Sequence, residues 1–356
     1  MNSLMMKKSK ICFAITSITD NGVTRVVSIL LDCIDYDKYD VYVLLTRRRK
    51  HLFELNNKST IIEVANDITD GRLRNITELR SIILKEKFNT VVALGDYAAM
   101  YTLIACLGIK QRIIVSERND PNKEPDKRLF RLLRNQLYKN AETIVCQTHD
   151  AAKYFESIVP YSVVIYNPVK DDLPVWEGPR KKNIVNFCRI DKQKNLSLLV
   201  EAFEIFRRTH KDYYLDIYGE GPEKEALVNV IQQKGLSGVI RLHDFCMDIH
   251  DRVKDAMMFV SSSDFEGMSN SMLESMAMGI PTICTDCPIG GAREIIQDGE
   301  NGWLVPVGDV HQLAEKMNYV ADNEHEAKKI SLEARNIRIR LSKEEISQQW
   351  WKVIDV

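Results

Sequence analysis

The sequence predicts an α/β protein built from two doubly wound, Rossmann-like domains. Three observations support this prediction. Short runs rich in β-branched residues recur along the chain and are apolar throughout, which is typical of parallel strands covered on both faces. Segments with apolar residues at helical spacing lie between several of these runs. The alternation stops once, near the middle of the 356 residues, and then begins again.

The first half alternates predicted strands with helices. The strands are expected at Ile11–Ile15, Val41–Leu45, Thr60–Val64, Thr90–Leu94, Arg112–Val115, Thr143–Cys146 and Ser162–Tyr166. The clearest helical periods are at Val23–Leu31, Arg74–Glu86 and Arg128–Lys139. Residues 90–109 are apolar enough to suggest a membrane span, but Gly95 and Asp96 interrupt them, which favours a strand followed by a helix.

Residues 167–182 contain three prolines, a glycine and many charges, a composition that indicates a linker. Beyond them, strands are expected at Ile184–Phe187, Tyr213–Tyr218, Val239–Leu242, Met258–Ser261, Thr282–Thr285 and Gly302–Val305, with helices at Leu196–Arg208, Glu223–Lys234 and Ser271–Met278. We therefore predict a first domain over residues 1–168, a linker over 169–182, a second domain over 183–340 and a C-terminal helix within 341–356. The two domains are expected to face each other across a cleft.

The composition argues against some classes of protein. The 49 Lys and Arg residues nearly balance the 50 Asp and Glu residues, so no net field attracts nucleic acid. Residues 1–175 carry 26 basic and 21 acidic residues (+5), and the remainder carries 23 and 29 (−6), which suggests different partners for the two halves. The eight cysteines are scattered, as expected in a reducing compartment. The apolar run near the N-terminus lacks a small-residue cleavage site, which favours a buried strand over a signal peptide.

Ligands of doubly wound sheets bind at the turns that follow the carboxyl ends of the strands. The first such turn has no Gly-x-Gly-x-x-Gly pattern, which argues against a dinucleotide cofactor, but Gly22 precedes a helix whose N–H groups could meet an anion. Arg189 and Lys194 follow a strand of the second half and could hold a diphosphate. Gly219 and Gly221 follow the next strand and could make room for a phosphate. Tight turns and solvated loop cations would explain the same residues.

The segment that contains Glu266 and Glu274 is the most informative part of the sequence. Its helix is expected to begin near Asn270 and to stop at Gly279, with Glu274 in the first turn. One interpretation is a capping box, in which Ser271 caps the helix and Glu274 bonds back to the chain. In the other interpretation, Glu274 accepts hydrogen bonds from both hydroxyls of a ribose, and the helix N-terminus receives the attached phosphate.

These residues carry a family resemblance. Arg189 and Lys194 form an R-x-x-x-x-K pattern, and Glu266 and Glu274 have the spacing of paired glutamates in glycosyltransferase family 4. The flanking sequences EGMSNSMLESMAMGIPTI, GGAREII and ENGWLVPVGD make the pattern specific. The chain therefore resembles the retaining group 1 transferases of this family, which have the two-domain GT-B fold, most strongly over residues 183–309.

The resemblance implies a role for each matching residue. Arg189 and Lys194 would hold the donor diphosphate and stabilise the leaving group, Glu266 would contact hydroxyls of the donor sugar, and Glu274 would hold the ribose. No cofactor and no essential metal are implied, and the leaving phosphate would help to deprotonate the acceptor in a front-face displacement. The C-terminal segment would cross back to the first domain, with Trp350 and Trp351 as apolar anchors. Further donor contacts would come from Gly22 and from the backbone at Asn270, Ser271 and Met272.

The chain departs from the family at three positions. Arg118 stands where many relatives carry a histidine, and an arginine cannot accept a proton at neutral pH. Asn21 replaces a glycine of the first turn, and Asp244 replaces a glycine near the nucleobase. The role of Arg118 and the preferred base therefore stay open.

Two groups of residues superficially resemble metal ligands. Asp35 and Asp37 form an Asp-x-Asp sequence, the metal-binding signature of another glycosyltransferase fold, but a charged stretch surrounds them and favours a solvated turn. Cys284 and Cys287 form the only Cys-x-x-Cys in the sequence, without a second pair at zinc spacing. We expect no metal site at either place.

The segment KRLFRLLRNQLYK, residues 127–139, combines arginines with leucines at helical spacing. Together with the basic cluster Arg47–Lys50, such a helix could lie on an anionic membrane surface. Alternatively, the leucines face the core while Arg128, Arg131 and Arg134 face water. Relatives that extend polyprenyl-diphosphate-linked glycans favour the first interpretation, and imply a peripheral enzyme on the inner face of the cytoplasmic membrane.

The predicted function is that of a retaining glycosyltransferase. It would move a hexose or N-acetylhexosamine from a nucleotide diphosphate sugar, with UDP-sugars favoured and GDP-sugars possible, to a lipid-linked glycan for a surface polysaccharide. A UDP-sugar 2-epimerase of similar fold is an alternative, but it would need a set of acidic and histidine residues beside the sugar that the sequence does not offer. A second alternative is a catalytically silent subunit that binds a nucleotide sugar. The retained family residues argue against it; they are Arg189, Lys194, Glu266 and Glu274.

Overall fold

The computed structural model describes residues 8–18, 22–47, 55–64 and 72–355. The chain forms two compact units, of which the first comprises residues 1–168 and 343–356 and the second residues 169–342. Each unit contains its own parallel sheet with helices, which confirms the predicted α/β class.

The first unit has a seven-stranded sheet in which each pair of neighbours is parallel. Its strands are β1 (Ser9–Ile15), β2 (Tyr39–Leu45), β3 (Thr60–Glu63), β4 (Thr90–Leu94), β5 (Arg112–Ser116), β6 (Thr143–Cys146) and β7 (Tyr161–Val164). Their order across the sheet is β3-β2-β1-β4-β5-β6-β7. The carboxyl ends of β1 and β4 therefore flank the topological switch point, where sheets of this kind bind ligands.

The helices of the first unit follow the strands. They are α1 (Gly22–Asp32), α2 (Arg72–Glu86), α3 (Asp96–Ala105), α4 (Arg128–Tyr138) and α5 (His149–Phe155), together with α13 (Lys343–Ile354) from the end of the chain. Because α3 begins two residues after β4, residues 90–109 form a strand and a helix, as predicted. In α13, Trp350 is fully buried, and the ring of Trp351 stacks on Tyr39 with 5.8 Å between centroids. The predicted apolar anchors of the last helix are thus both engaged.

The second unit has a six-stranded parallel sheet. Its strands are β8 (Lys181–Phe187), β9 (Tyr214–Tyr218), β10 (Ile240–His243), β11 (Ala256–Ser261), β12 (Thr282–Thr285) and β13 (Trp303–Val305), in the order β10-β9-β8-β11-β12-β13. The helices are α6 (Leu196–Phe206), α7 (Lys224–Gln233), α8 (Ile249–Val253), α9 (Asn270–Met278), α10 (Val310–Asp322), α11 (Glu324–Ala334) and α12 (Ile337–Arg340). Here the switch point lies between β8 and β11.

The core of the second unit explains why its helices form. Leu199, Phe203 and Phe206 recur at helical spacing on α6 and are fully buried, together with Met258 of β11 and Trp303 of β13. Each such side chain contributes about 1.5–3 kcal/mol by leaving water. Packing of this apolar stripe, rather than helix propensity alone, therefore holds α6 on the sheet.

The predicted linker residues are attached to the second unit. Arg338 Nη1 donates to the carbonyl oxygen of Leu173 at 3.0 Å, and Arg335 Nη2 donates to that of Trp176 at 3.0 Å. Val169 N also donates to Leu341 O at 2.8 Å. Arg335, just after α11, and Arg338 of α12 therefore hold residues 169–176 in place on this unit.

The orientation of α4 corrects the sequence analysis. Arg134, expected to face water, is 0% exposed, while Leu129, Leu132 and Leu133 are 75%, 54% and 41% exposed. Arg134 is buried because its guanidinium donates to the carbonyl oxygens of Pro121 and Glu124 at 2.9 and 2.6 Å, bonds that no leucine could replace. The interpretation with leucines in the core and all three arginines in water is therefore wrong.

Candidate functional site

Two turns lie side by side at the switch point of the second sheet. The turn after β8 carries Arg189 and continues into a 3-10 turn at Lys192–Lys194. The turn after β11 carries Glu266. Because β8 and β11 are adjacent parallel strands, their carboxyl ends open at the same edge of the sheet. Residues that the sequence analysis selected from distant segments are thereby brought together.

Lys194 and Glu266 form a partly buried ion pair between these two turns. The carboxylate of Glu266 also accepts hydrogen bonds from Ser263 Oγ at 2.9 Å and from Gln193 Nε2 at 3.1 Å. Burial is the largest single influence on the pKa of Lys194 and lowers it, but the charge and hydrogen bond of Glu266, together with nearby Cys188 and Asp191, raise the pKa above its usual value. Lys194 is therefore a fixed cation at neutral pH.

Further hydrogen bonds join the two turns. Asp264 N donates to Gln193 O at 2.9 Å, and Asn195 Nδ2 donates to Asp264 Oδ1 at 2.8 Å. Ser262 Oγ lies 3.0 Å from the carbonyl oxygens of both Lys194 and Asn195. These positioning residues were not predicted, although a run of serines directly after a strand and an asparagine before a helix are signals visible in the sequence.

Arg189 lies on the same turn as Lys194 but is paired with a different carboxylate. Its side chain is 72% exposed and its guanidinium is paired with the carboxylate of Asp191. Because the guanidinium itself is largely in water, solvent screens the ion pair and weakens its hold on Arg189.

Gly219 and Gly221 support the turn after β8 by close packing of backbone. A Cβ on Gly219 would lie 1.9 Å from the carbonyl oxygen of Cys188, and one on Gly221 would lie 2.0 Å from that of Ile190. Ile190 N donates to Glu220 O at 2.8 Å across the same contact. Any larger residue would displace the turn. The predicted contact of these glycines with a phosphate stays a prediction.

The N-terminus of α9 differs from the expected one. Ser269, rather than Ser271, is the cap, because its Oγ accepts a hydrogen bond from Met272 N at 3.4 Å. Glu274 is the fifth residue of the helix and lies in its second turn, so the capping-box interpretation is wrong. The N–H groups of Asn270 and Ser271 lie at the positive end of the helix dipole.

Glu274 is nearly buried and has a histidine as its neighbour. Its Oε2 lies 3.0 Å from Nε2 of His250, the second residue of α8. The ring of His250 stands edge-on to Phe187 at the end of β8. The contact between His250 and Glu274 was not predicted, because residues 24 positions apart share no periodic signal in the sequence.

Gly291 packs against the backbone of the loop that carries Glu266. A Cβ on Gly291 would lie 1.6 Å from the carbonyl oxygen of Gly267 and 3.3 Å from the Cα of Met268. The GGAREII motif therefore contains a position where two backbones touch. The second glycine of the motif, Gly291, therefore fixes the position of the loop that follows β11.

In the first unit, Gly22 is the first residue of α1 and lies just beyond β1. Val23 Cγ2 lies 3.7 Å from the place that a Cβ on Gly95 would take, and Gly95 precedes α3 with a φ of 86°. The starts of α1 and α3 therefore meet at the switch point of this sheet. Asn21 lies outside the described residues.

Arg118 is held by polar side chains of its own unit. Its Nη2 donates to Oδ1 of Asn167, which also accepts from Gln147 Nε2 at 2.6 Å. Its Nη1 lies 3.4 Å from Ser116 Oγ. Burial lowers the pKa of Arg118 to about 10, so the guanidinium remains a donor at neutral pH and cannot take the proton of an acceptor.

The described residues contain no group of three His, Cys, Asp or Glu side chains that could hold a metal ion. Asp35 and Asp37 lie between α1 and β2, where Asp37 N donates to Asp35 Oδ1 at 2.9 Å in a local turn. Cys284 and Cys287 are both buried thiols. Among the same residues, no helix is both long and apolar enough to cross a membrane.

The segment that contains these residues is similar to a known protein family. Residues 174–337 match the family model for glycosyl transferases group 1. This range covers Arg189, Lys194, Glu266 and Glu274 and lies within the second unit. The comparisons support a group 1 glycosyltransferase.

Two curated relatives extend the likeness. One is a putative glycosyltransferase, EpsD, of Bacillus subtilis, 32% identical over 155 residues that make up 44% of this chain and 40% of that protein. The other is the N-acetylgalactosamine-N,N'-diacetylbacillosaminyl-diphospho-undecaprenol 4-alpha-N-acetylgalactosaminyltransferase of Campylobacter jejuni. It is 25% identical over 341 residues, which cover 88% of this chain and 91% of that protein. The chain thus spans less than half of the first relative and nearly all of the second.

Solved structures establish the fold class. HepE of Anabaena, crystallised in complex with UDP and glucose, superposes with a TM-score of 0.81 at 16% identity, over 98% of this chain and 99% of that one. Identity this low shows the fold alone. The predicted GT-B fold is therefore confirmed.

Proposed function

We propose that this protein is a retaining glycosyltransferase that moves a hexose or N-acetylhexosamine from a nucleotide diphosphate sugar to a lipid-linked glycan. The observation that carries the proposal is the Lys194–Glu266 pair at the switch point of the second sheet, with Arg189 on the same turn and α9 beginning four residues after Glu266. The cations suit the diphosphate of such a donor, and the carboxylate suits its hydroxyl groups. The N-terminus of α9 suits its distal phosphate.

The cations of the second unit suit a diphosphate. Lys194 has three N–H donors, so it can keep Glu266 and still donate to a phosphate oxygen. The exposed guanidinium of Arg189 is paired with the carboxylate of Asp191, and a diphosphate of higher charge would compete well for it. Both cations would then offset the negative charge that develops on the leaving group. This provides the charge stabilisation that the proposed metal-independent transfer requires.

The carboxylates suit the hydroxyl groups of the donor. Glu266 is fixed by Lys194, Ser263 and Gln193 and would accept hydrogen bonds from the donor sugar. Glu274 would accept from the ribose hydroxyls. The N–H groups at the start of α9 would donate to the distal phosphate. A UDP-sugar is the favoured donor and a GDP-sugar the second choice.

The proposed reaction retains the anomeric configuration. The bond from the anomeric carbon to the leaving phosphate oxygen breaks, and the acceptor oxygen bonds to that carbon on the same face. The proton of the acceptor hydroxyl passes to the leaving phosphate oxygen, so the protein need not supply a base. This assignment is consistent with Arg118, which is a cation and not a proton acceptor.

The domain roles are also proposals. The second unit would bind the donor, and the first unit, residues 1–168 with the C-terminal helix, would bind a polyprenyl-diphosphate-linked acceptor. The named activity of the Campylobacter jejuni relative on a diphospho-undecaprenol substrate supports this choice. The product would be part of a surface polysaccharide.

We place the first unit on the inner face of the cytoplasmic membrane through α4. Leu129, Leu132 and Leu133 form an exposed apolar ridge, and Lys127 and Arg128 are exposed at the start of the same helix. Apolar side chains next to basic ones suit the boundary between anionic headgroups and acyl chains. Of the basic cluster Arg47–Lys50, only Arg47 is among the described residues, and it lies over the ring of Tyr97.

Vesicle flotation tests the membrane proposal. The triple variant Leu129→Gln/Leu132→Gln/Leu133→Gln should lose binding to vesicles that contain phosphatidylglycerol. A matched control, Leu84→Gln/Leu107→Gln, changes two leucines that are about half exposed elsewhere on the first unit, and this variant should still float. Equal binding by both variants, or none by the wild type, would contradict the proposal.

Donor turnover tests the enzymatic proposal. The protein is incubated with common UDP- and GDP-sugars, and release of UDP or GDP is measured with and without a lipid-linked acceptor. Lys194→Ala should reduce turnover about 100-fold or more, because one preorganised donor to a developing charge is worth about that much. Lys192→Ala removes an exposed lysine of the same 3-10 turn and should change little. A folded Lys194→Ala or Glu274→Ala protein that transfers sugar at the wild-type rate would refute these roles.

A further inference from the structure

We infer that His250 is a positioning residue that holds Glu274 in the orientation needed to recognise the ribose of a nucleotide. The inference rests on the proposed function, because it deepens the role given there to Glu274. Nε2 of His250 lies 3.0 Å from Oε2 of Glu274. The two residues come from different helices, α8 and α9, so the bond joins two elements of the sheet edge.

The direction of this hydrogen bond follows from the chemistry of its partners. An ionised carboxylate can only accept hydrogen bonds. The proton therefore lies on Nε2 of His250, either in the neutral tautomer protonated at Nε2 or in the imidazolium. In both states the ring donates to Glu274, so the bond does not depend on which state is present.

The imidazole ring is itself fixed. It stands edge-on to Phe187, with 6.2 Å between centroids and 87° between planes, and its side chain is 13% exposed. Phe187 in turn packs against Phe259 of β11 at 5.1 Å. Since Phe187 is the last residue of β8, the ring rests on the strand that leads to Arg189. A rigid donor is thus aimed at the carboxylate.

A fixed carboxylate has a consequence for recognition. A glutamate side chain has several rotamers, and freezing them on binding costs free energy. The hydrogen bond from His250 to Oε2 fixes the rotamer of Glu274 before the nucleotide binds, so this cost does not reduce the affinity. Because each carboxylate oxygen has two lone pairs, Oε2 can still accept a hydrogen bond from a ribose hydroxyl. His250 should therefore strengthen binding only of ligands whose hydroxyls bond to Glu274.

Paired nucleotides measure this effect. Dissociation constants are determined by titration calorimetry for UDP and for 2′,3′-dideoxy-UDP, which lacks both ribose hydroxyls, or for the matching GDP pair where guanine is preferred. His250→Phe keeps a ring of similar shape but removes the donor. It should weaken binding of UDP about tenfold, the value of one hydrogen bond to a charged group, and leave binding of the dideoxy nucleotide within about twofold. His250→Gln keeps an N–H donor and should retain most of the preference for UDP.

A second histidine provides the matched control. His243 also bonds to a carboxylate of the second unit, with Nε2 2.8 Å from Oδ1 of Asp216. His243→Phe should affect UDP and the dideoxy nucleotide equally. Melting temperatures check that all variants fold, and His250→Ala replaces His250→Phe if the latter does not.

The outcomes separate this inference from the proposed function. If wild-type protein binds UDP and dideoxy-UDP equally, and GDP and dideoxy-GDP equally, the ribose role of Glu274 fails and the inference falls with it. If Glu274→Gln loses the preference for UDP but His250→Phe keeps it in full, the proposed function stands and the role of His250 is overturned. Loss of the preference in both variants supports both statements.

Discussion

Replacing Gly291 by alanine tests the idea that backbone contact places Glu266. The added Cβ would lie 1.6 Å from the carbonyl oxygen of Gly267, against a normal minimum separation of about 3 Å. A backbone carbonyl cannot rotate away as a side chain does, so one of the two loops must move by more than about 1 Å. A displacement of this size can reduce the rate of a catalytic site about 100-fold. The φ of Gly291 is not in the left-handed region, so the contact alone causes the effect.

The magnitude follows from the same contact. Overpacking in a well-packed region costs about 1–3 kcal/mol, and a contact with backbone belongs at the upper end of this range. For a unit of the size of residues 169–342, about 3 kcal/mol corresponds to a fall of roughly 6–12 °C in the melting temperature. Donor turnover should fall about 100-fold in protein that is still folded at the assay temperature.

Calorimetry and donor turnover measure the two effects. Gly238→Ala is the matched control, because no atom lies within 4 Å of its added Cβ and its φ is not positive. It should leave the melting temperature and turnover unchanged. A Gly291→Ala protein with the melting temperature and turnover of the wild type would refute the claim that this contact positions Glu266.

Three further predictions concern the first unit. Arg134→Leu should lower its unfolding free energy by about 2–6 kcal/mol in denaturant titrations, because the carbonyl groups of Pro121 and Glu124 lose their donor at about 1–3 kcal/mol each. Exposed Arg128→Ala should change the unfolding free energy by less than about 0.5 kcal/mol, and similar values for both variants would contradict this account. Burial and the nearby charge of Asp96 raise the pKa of Glu117 well above its usual range, so the folded state keeps a proton that the unfolded chain loses above its own pKa near 4.5. Stability should therefore fall as pH rises from 5 to 8, and Glu117→Gln should remove that part of the slope in melting temperature; an unchanged slope would show that Glu117 is ionised in the fold. Trp350→Ala should lower the unfolding free energy of the first unit by about 3–5 kcal/mol, because it leaves a cavity in the core. The control Gln348→Ala changes an exposed residue of the same helix and should leave the unfolding free energy unchanged. A Trp350→Ala protein as stable as the wild type would show that the packing of α13 does not stabilise the first unit.

The fold could be read largely from local sequence patterns. All thirteen strands found within the described residues were expected, with ends that differ from the observed ones by at most three residues. This succeeds because strands buried on both faces must be apolar throughout, and that pattern is visible without any knowledge of contacts. The helices that were not anticipated, α5, α8, α10, α11 and α12, include the shortest ones in the described chain, where periodicity has few residues in which to appear.

The candidate site was predictable in its residues but only partly in its geometry. Lys194 and Glu266 were identified from their turns, and the structure joins them in one ion pair. The orientation of α4 was not predictable, because an arginine and a leucine can each occupy a buried position and only the carbonyl groups around Arg134 decide the matter. The cap of α9 was misplaced by two residues, since Ser269 and Ser271 are chemically equivalent in the sequence.

The amino-acid sequence was sufficient for the class of fold, the order of the elements and the residue types of the candidate site, because these depend on periodicity and on chemistry at strand ends. The tertiary structure was needed for every contact between segments distant along the chain. Only the tertiary structure shows that His250 contacts Glu274 and that the backbone of Gly291 packs against that of Gly267. These contacts form because the order of strands in the sheet, and not separation along the sequence, determines which loops meet at its edge.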